Sequence, residues 1–141
     1  MEKNEVKATL ILQAIGKPAE HLKKAVEEIL DKIKDEKGTE VESSVVKDPV
    51  EMEEQKGLFS TFAEINVKVE APAYLMMLVF KYSPAHIEVT APENLSFSNN
   101  DFGELLSELT RKIHQYDEVA RTLQMQNQGL EIKLAELNKK K

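Results

Sequence analysis

Residues 106–137 read LSELTRKIHQYDEVARTLQMQNQGLEIKLAEL, and the spacing of the apolar side chains in this stretch decides how the chain is organised. The repeating positions alternate at separations of three and four residues: Leu106, Leu109, Ile113, Tyr116, Ala120, Leu123, Asn127, Leu130, Leu134 and Leu137. Such a repeat forms one narrow stripe on a helix and drives left-handed supercoiling against a partner helix. The stretch therefore predicts a coiled-coil helix that joins copies of this chain.

The details of the stripe favour two parallel helices. If Leu106 is position a of the heptad, Asn127 also falls at an a position, where a buried amide favours a parallel, in-register pair. Lys112 at g and Asp117 at the following e position would attract each other across such a pair. At a rise of ~1.5 Å per residue the stripe extends over about 48 Å. We therefore expect a parallel homodimer through residues 106–137.

Some residues keep other arrangements open. Leu105 and Val119 widen the stripe, Met125 and Ile132 lie opposite it, and Gly129 weakens the helix in its middle. An antiparallel pair, a higher oligomer, and a helix packed on its own domain remain alternatives to the parallel dimer.

The helix start can be read from the sequence just before the stripe. Ser98 is a suitable N-cap, and Asp101 then occupies N3, as in a capping box. Phe97 and Phe102 occupy the two positions of a hydrophobic staple. These signals place the beginning of the helix close to residue 98.

The upstream residues predict a small α+β domain. Period-two alternation indicates strands at residues 6–15 and 63–70, and shorter strands are predicted at Val41–Val46 and around residues 87–89. Helices are predicted from Pro18 to a left-handed cap at Gly38, and over residues 73–82. Residues 51–57 are interpreted as a solvated loop.

This order is β-α-β-β-α-β. Right-handed crossovers place both helices on one face of a four-stranded antiparallel sheet, which is the ferredoxin-like arrangement. We predict this domain at residues 1–92, a linker at 93–97, and the coiled-coil helix at 98–141.

Composition restricts the partners. The chain has 141 residues, a net charge of −6 and no cysteine. Because nucleic-acid affinity comes mostly from basic residues, we expect no nucleic-acid partner. Without cysteine there are no disulfides or thiolate metal sites. The longest apolar run, residues 74–80, is far shorter than the ~20 residues of a membrane span, so we expect no membrane partner and a cytoplasmic location.

The chain shows no pattern typical of catalysis. His21, His86 and His114 lie in separate predicted elements, and none has a ligand at the spacing of a metal-binding helix. The acidic residues within 51–54 are interpreted as solvated surface. We therefore predict no catalytic residues, no metal and no cofactor, and hence a protein that is not an enzyme.

Two functions are compatible with these features. The first is an oligomerising interaction or scaffold protein whose coiled coil presents α+β heads to a protein partner. The alternative is a small-molecule-sensing regulatory domain of ferredoxin-like type. Its ligand loop would be Gly16, Lys17 and Pro18, because the following helix N-terminus favours anions. The alternative depends on analogy of fold only.

Overall fold

The structure is a computed structural model that describes residues 4–140. The chain divides into two compact units between Ser96 and Phe97. The elements in chain order are β1 (Val6–Gly16), α1 (Ala19–Lys34), β2 (Thr39–Val46), β3 (Val50–Glu51), β4 (Phe59–Val69), α2 (Pro72–Tyr82), β5 (His86–Ala91) and α3 (Asn99–Lys139). The first unit is thus an α+β domain, as predicted, and the second is the long helix α3.

The strands form one antiparallel sheet in the order β2-β4-β1-β5. The two long strands, β1 and β4, pair along their whole length, with Leu10 opposite Ile65 at the centre. β2 pairs with the other side of β4, and β5 pairs with the other side of β1. The middle of the sheet therefore consists of the two strands whose period-two patterns are strongest.

One face of the sheet and both short helices enclose the core. Strand residues of the predicted inward face, such as Leu10 and Ile65, are fully buried, and so are Val26 and Ile33 of α1 and Leu78 of α2. All of these side chains belong to a single hydrophobic cluster, so α1 and α2 pack on the same face. The opposite face of the sheet is called the open face below.

The prediction of four strands was incomplete. Val50 and Glu51 form an additional strand, β3, which pairs with Ser60 and Phe59 at the start of β4. The predicted solvated loop at residues 51–57 therefore begins one residue inside a strand. Two residues are too few to show any periodicity, so this element left no pattern in the sequence.

The ends of α1 also differ in detail from the prediction. Pro18 occupies the N-cap position with an extended backbone, and the helix ends at Lys34. Gly38 does have the expected positive φ, 71°, but it lies in the turn that leads to β2. No helix within residues 4–140 is long and apolar enough to cross a membrane.

Candidate self-association surface

The start of α3 agrees with the predicted cap. The Ser98 hydroxyl accepts a hydrogen bond from the Asp101 backbone N–H at 3.0 Å, and the Phe102 N–H donates to the Ser98 carbonyl. The rings of Phe97 and Phe102 lie 6.0 Å apart, as a hydrophobic staple requires. The cap and the staple thus define where α3 begins, with Ser98 as the N-cap and Asn99 as the first helical residue.

The apolar stripe lies on the surface of this single chain. None of the side chains in α3, all of which the structure describes, is buried. Exposed fractions along the stripe rise from 45% at Leu106 through 53% at Leu123 to 62% at Leu137. The residues of the stripe that follow Leu109 are all exposed. Full burial of one leucine contributes about 1.5–3 kcal/mol, so a cover over this stripe would stabilise the helix considerably.

The charges that flank the stripe are segregated by sign. Along the stripe the charged residues at g positions are Lys112 and Lys133, both basic. The charged residues at e positions are Asp117 and Glu131, both acidic. Residues at e and g set the orientation of a coiled coil. In a parallel, in-register pair each g position meets the e position that follows it, so Lys112 meets Asp117. Lys133 meets the uncharged Asn138, and Glu131 meets the uncharged Gln126. The single contact between Lys112 and Asp117 therefore favours a parallel pair.

The Asp117 carboxylate already has a neighbour within its own helix. It lies 3.0 Å from the Arg121 guanidinium one turn later. Both side chains are more than half exposed, so this ion pair is screened by solvent and contributes little to stability. Asp117 can therefore exchange this contact for one with a lysine of a second helix at small cost.

The proposed ligand loop lies at the end of β1. Gly16 is the last residue of that strand and is partly buried, whereas Lys17 and Pro18 are exposed. The Pro18 carbonyl accepts the hydrogen bond from the Leu22 N–H that begins α1. The structure thus places these three residues at the N-terminus of α1, and ligand binding there stays a prediction.

Polar side chains on the open face satisfy one another. The Thr9 hydroxyl donates to the Asn66 carbonyl oxygen at 2.6 Å, and the Asn66 amide donates to the Ser43 hydroxyl at 2.8 Å. Beside this row, Lys7 pairs with Glu42 and Lys68 with Glu40. This half of the open face is therefore a self-contained polar surface, which sequence reasoning missed because its partners lie on different strands.

The other half of the open face is more apolar. Ile15, Val45 and Phe62 are 51%, 51% and 43% exposed, and we call these three residues the open-face patch. Phe62 lies opposite Gln13, and Val45 lies opposite Glu64, so the patch is flanked by polar side chains. The three residues belong to three different strands of the sheet, β1, β2 and β4.

A polar cluster joins the ends of the two short helices. The Tyr82 hydroxyl donates to the Glu36 carboxylate at 2.6 Å, and the Lys81 ammonium lies 3.1 Å from the same group. These two hydrogen bonds, from Tyr82 first, lower the pKa of Glu36 below its ordinary value of 4.5. Burial and the bond to Glu36 raise the pKa of Tyr82 to about 12. The cluster acts as a tether between α1 and α2.

The histidines do not come together. His21 lies on α1, His86 on β5 and His114 on α3, and all three are exposed. Within residues 4–140 the structure brings no three histidine or acidic side chains into a group that could hold a metal ion. In the acidic segment, the Glu51 carboxylate accepts a hydrogen bond from the Gly57 N–H at 3.2 Å, which closes the turn before β4.

A comparison with protein families adds one finding. The model of the MJ0538 family matches residues 7–141. The chain belongs to the MJ0538 family. No curated protein and no solved structure matches the chain. Because the family match covers α3 as well as the α+β unit, the long helix is part of the sequence that defines the family.

Proposed function

We propose that this protein is a non-enzymatic interaction protein that associates with itself through α3. Two copies of the helix form a parallel coiled coil, and the α+β units act as paired heads that bind a protein partner. The observation that carries the proposal is the apolar stripe of residues 106–137, which is strictly periodic and is exposed in the single chain from Ile113 onward. The free energy of the protein falls when a second helix covers water-exposed leucines at this spacing.

A second copy of α3 is the cover that fits best. The stripe is self-complementary, because each apolar position meets its own counterpart in a parallel, in-register pair. Asn127 then meets Asn127, and their amides can form a hydrogen bond. Lys112 at g meets Asp117 at the following e position in the same arrangement. The apolar stripe, Asn127 and this one charge pair thus support the same partner.

The heads, we propose, have the ferredoxin-like arrangement. The strand order β2-β4-β1-β5 supports this, since it places the first and third long strands at the centre and the strands that follow each helix at the edges. In this arrangement α1 connects β1 to β2 and α2 connects β4 to β5, each across a central strand. Both helices belong to the one hydrophobic cluster, which agrees with this topology.

The open-face patch is the surface that each head would present. Two heads held by one coiled coil bind a repeated or dimeric partner with an avidity that a single head lacks. Ile15, Val45 and Phe62 supply the apolar contacts for such a partner. The polar row of Thr9, Asn66 and Ser43 offers little to it, because its hydrogen bonds are already made.

The test compares a substitution in the stripe with one outside it. Leu123→Glu puts a charge at a d position, whereas Gln115→Glu puts the same charge at a c position that faces away from the stripe. We expect light scattering to give an associated mass for the natural chain and for Gln115→Glu. Leu123→Glu should give the 16.0 kDa of one chain. An unchanged mass for Leu123→Glu would exclude the stripe as the interface.

The orientation has a separate test. The chain has no cysteine, so a single introduced thiol reports on a single contact. Leu137→Cys lies at a d position near the end of α3, and two such residues meet only when the helices are parallel. We expect mild oxidation to convert the variant into a disulfide-linked dimer. Failure to cross-link, together with an associated mass, would show that the helices are antiparallel.

A further inference from the structure

The later part of α3 has a second apolar face, opposite the stripe. Met125 and Ile132 occupy successive f positions, and their exposed fractions are 71% and 61%. Gly129 lies between them, and a Cβ added there would meet no atom within 4 Å among the residues that the structure describes. We call Met125, Gly129 and Ile132 the back face. It lies on the side that a simple two-stranded coiled coil leaves in water.

The charge pattern of the helix changes at the back face. Residues 122–130, TLQMQNQGL, include no charged residue, although 31% of the chain is charged. The f positions on either side of the back face are Arg111, Glu118 and Lys139, which are charged as expected for side chains that face water. Covering such a stretch is cheaper than covering a charged one, because no ionised side chain has to lose its contact with water.

We propose that coiled-coil pairs dock through their back faces in antiparallel orientation, so that the assembly extends beyond two chains. This inference rests on the proposed function, because it takes the parallel pair as its building unit. The occupant of the back face is thus a second pair of the same chain.

Charge complementarity gives the orientation. Met125 and Ile132 lie equally far from the midpoint between Gln128 and Gly129, and so do Glu118 and Lys139. In an antiparallel contact centred there, Met125 faces Ile132 of the other pair, and Glu118 faces Lys139. In a parallel contact each of these residues faces its own counterpart, which would place Glu118 against Glu118 and Lys139 against Lys139. The sequence of the f positions therefore favours the antiparallel contact.

Gly129 allows the two helices to approach closely. It lies beside the centre of the proposed contact, where the two backbones would be nearest. A glycine inside a helix costs about 1 kcal/mol relative to alanine. The proposed contact explains why a glycine is nevertheless present here, because a side chain at this position would keep the two helices apart.

The first experiment measures mass by light scattering. We expect more than two chains for the natural protein and for the matched control Ser107→Glu, which adds the same charge to an exposed b position outside the back face, and two chains for Met125→Glu. A natural protein of two chains, or a Met125→Glu variant with the same mass as the natural protein, would overturn this inference and leave the proposed function intact. A natural protein of one chain would instead overturn the proposed function.

The second experiment tests the orientation by exchange of charges. Glu118→Lys and Lys139→Glu should each weaken the association of pairs by about tenfold, because like charges then meet at both ends of the contact. The double variant restores opposite charges and should recover the natural dissociation constant in sedimentation equilibrium. If the double variant is no stronger than the single ones, the antiparallel contact is wrong.

Discussion

At the turn between α1 and β2, Gly38 has a φ of 71° and lies close to the Tyr74 ring. An added Cβ would lie 2.8 Å from ring carbons of Tyr74, which packs against the core. Gly38→Ala therefore adds a clash to backbone strain, and we expect it to lower the free energy of unfolding by about 3 kcal/mol. Chemical denaturation at a fixed chain concentration measures this loss.

Gly57 supplies the control for that prediction. Its φ is 85°, so alanine is strained there too, but a Cβ would meet no described atom within 4 Å. Gly57→Ala should thus cost only about 1 kcal/mol, which is the cost of the backbone conformation alone. Equal losses for the two variants would show that the Tyr74 ring moves aside freely.

Tyr82→Phe removes the tether between α1 and α2 without changing the packing of the ring. The hydroxyl bonds a carboxylate that is partly exposed, so we expect a loss of about 1 kcal/mol at neutral pH. Denaturation of the natural chain and the variant, compared over a range of pH, measures the contribution of this one hydrogen bond.

The pH dependence of that difference has a definite sign. The pKa of Glu36 is lowered, so its contribution is complete above 4.5 and is lost as the pH falls through the lowered value. The pKa of Tyr82 is raised to about 12, so the folded state holds its proton longer, and stability is lost as the pH rises from 10.0 towards 12. The advantage of the natural chain should shrink in both directions. A difference that is constant with pH would contradict the tether.

Of these residue-scale features, only those that depend on residues close together in the sequence were predicted. The Ser98 cap and the positive φ of Gly38 depend on neighbours a few residues away, and both were predicted. The bond from Tyr82 to Glu36 joins residues 46 positions apart, and the bond from Thr9 to Asn66 joins residues 57 apart. These pairs form because of the register of the strands and the positions of the helices. A local sequence pattern does not predict either of these.

Among the elements, those with the longest periodic patterns were predicted best. β4 buries every second residue from Thr61 to Val69 because the alternation of its sequence matches the strand period. The almost wholly apolar α2 has no such contrast, and only Leu75 and Leu78 of its residues are buried. β3 was missed because its pairing with β4 is a tertiary contact. The helix α2 was nevertheless predicted over residues 73–82, close to its observed bounds, so a contrast in polarity is needed to predict which side chains are buried rather than that the element exists.

The cap of α3 gives a prediction at this scale. Ser98→Ala removes the acceptor for the Asp101 N–H, and we expect helix α3 to lose about 1 kcal/mol. Ser107→Ala is the control, because Ser107 lies inside the same helix and is exposed. Thermal denaturation followed by circular dichroism should show a lower midpoint for Ser98→Ala only. An equal shift for both variants would mean that the cap contributes nothing.

At the scale of the whole molecule, the sequence predicted the long helix and a parallel homodimer through its apolar stripe; the helix is confirmed, and the dimer stays a prediction. The periodicity of the apolar residues indicates that this face of α3 packs against other helices. It does not indicate how many helices do so. The charges at e and g, and those at the f positions, add information on orientation. The target of the heads has no comparable signature, since the open-face patch is formed by three separate strands.

Asn127→Leu tests how the number of helices is controlled. Replacement of the amide by an apolar side chain should raise the thermal midpoint, because a buried Asn lowers stability. The same change should loosen the control of oligomer number, so that sedimentation velocity resolves more than one associated species. A variant that is less stable than the natural chain would show that Asn127 does not lie in a helix–helix interface.

The most direct test of the central claim is the mass of the unmodified chain in solution. Sedimentation equilibrium from low to high micromolar concentrations should give a mass of at least two chains of 16.0 kDa each, because the stripe of α3 is covered by another copy. A mass of one chain at every concentration would contradict the account, since the leucines of residues 106–137 would then remain in water.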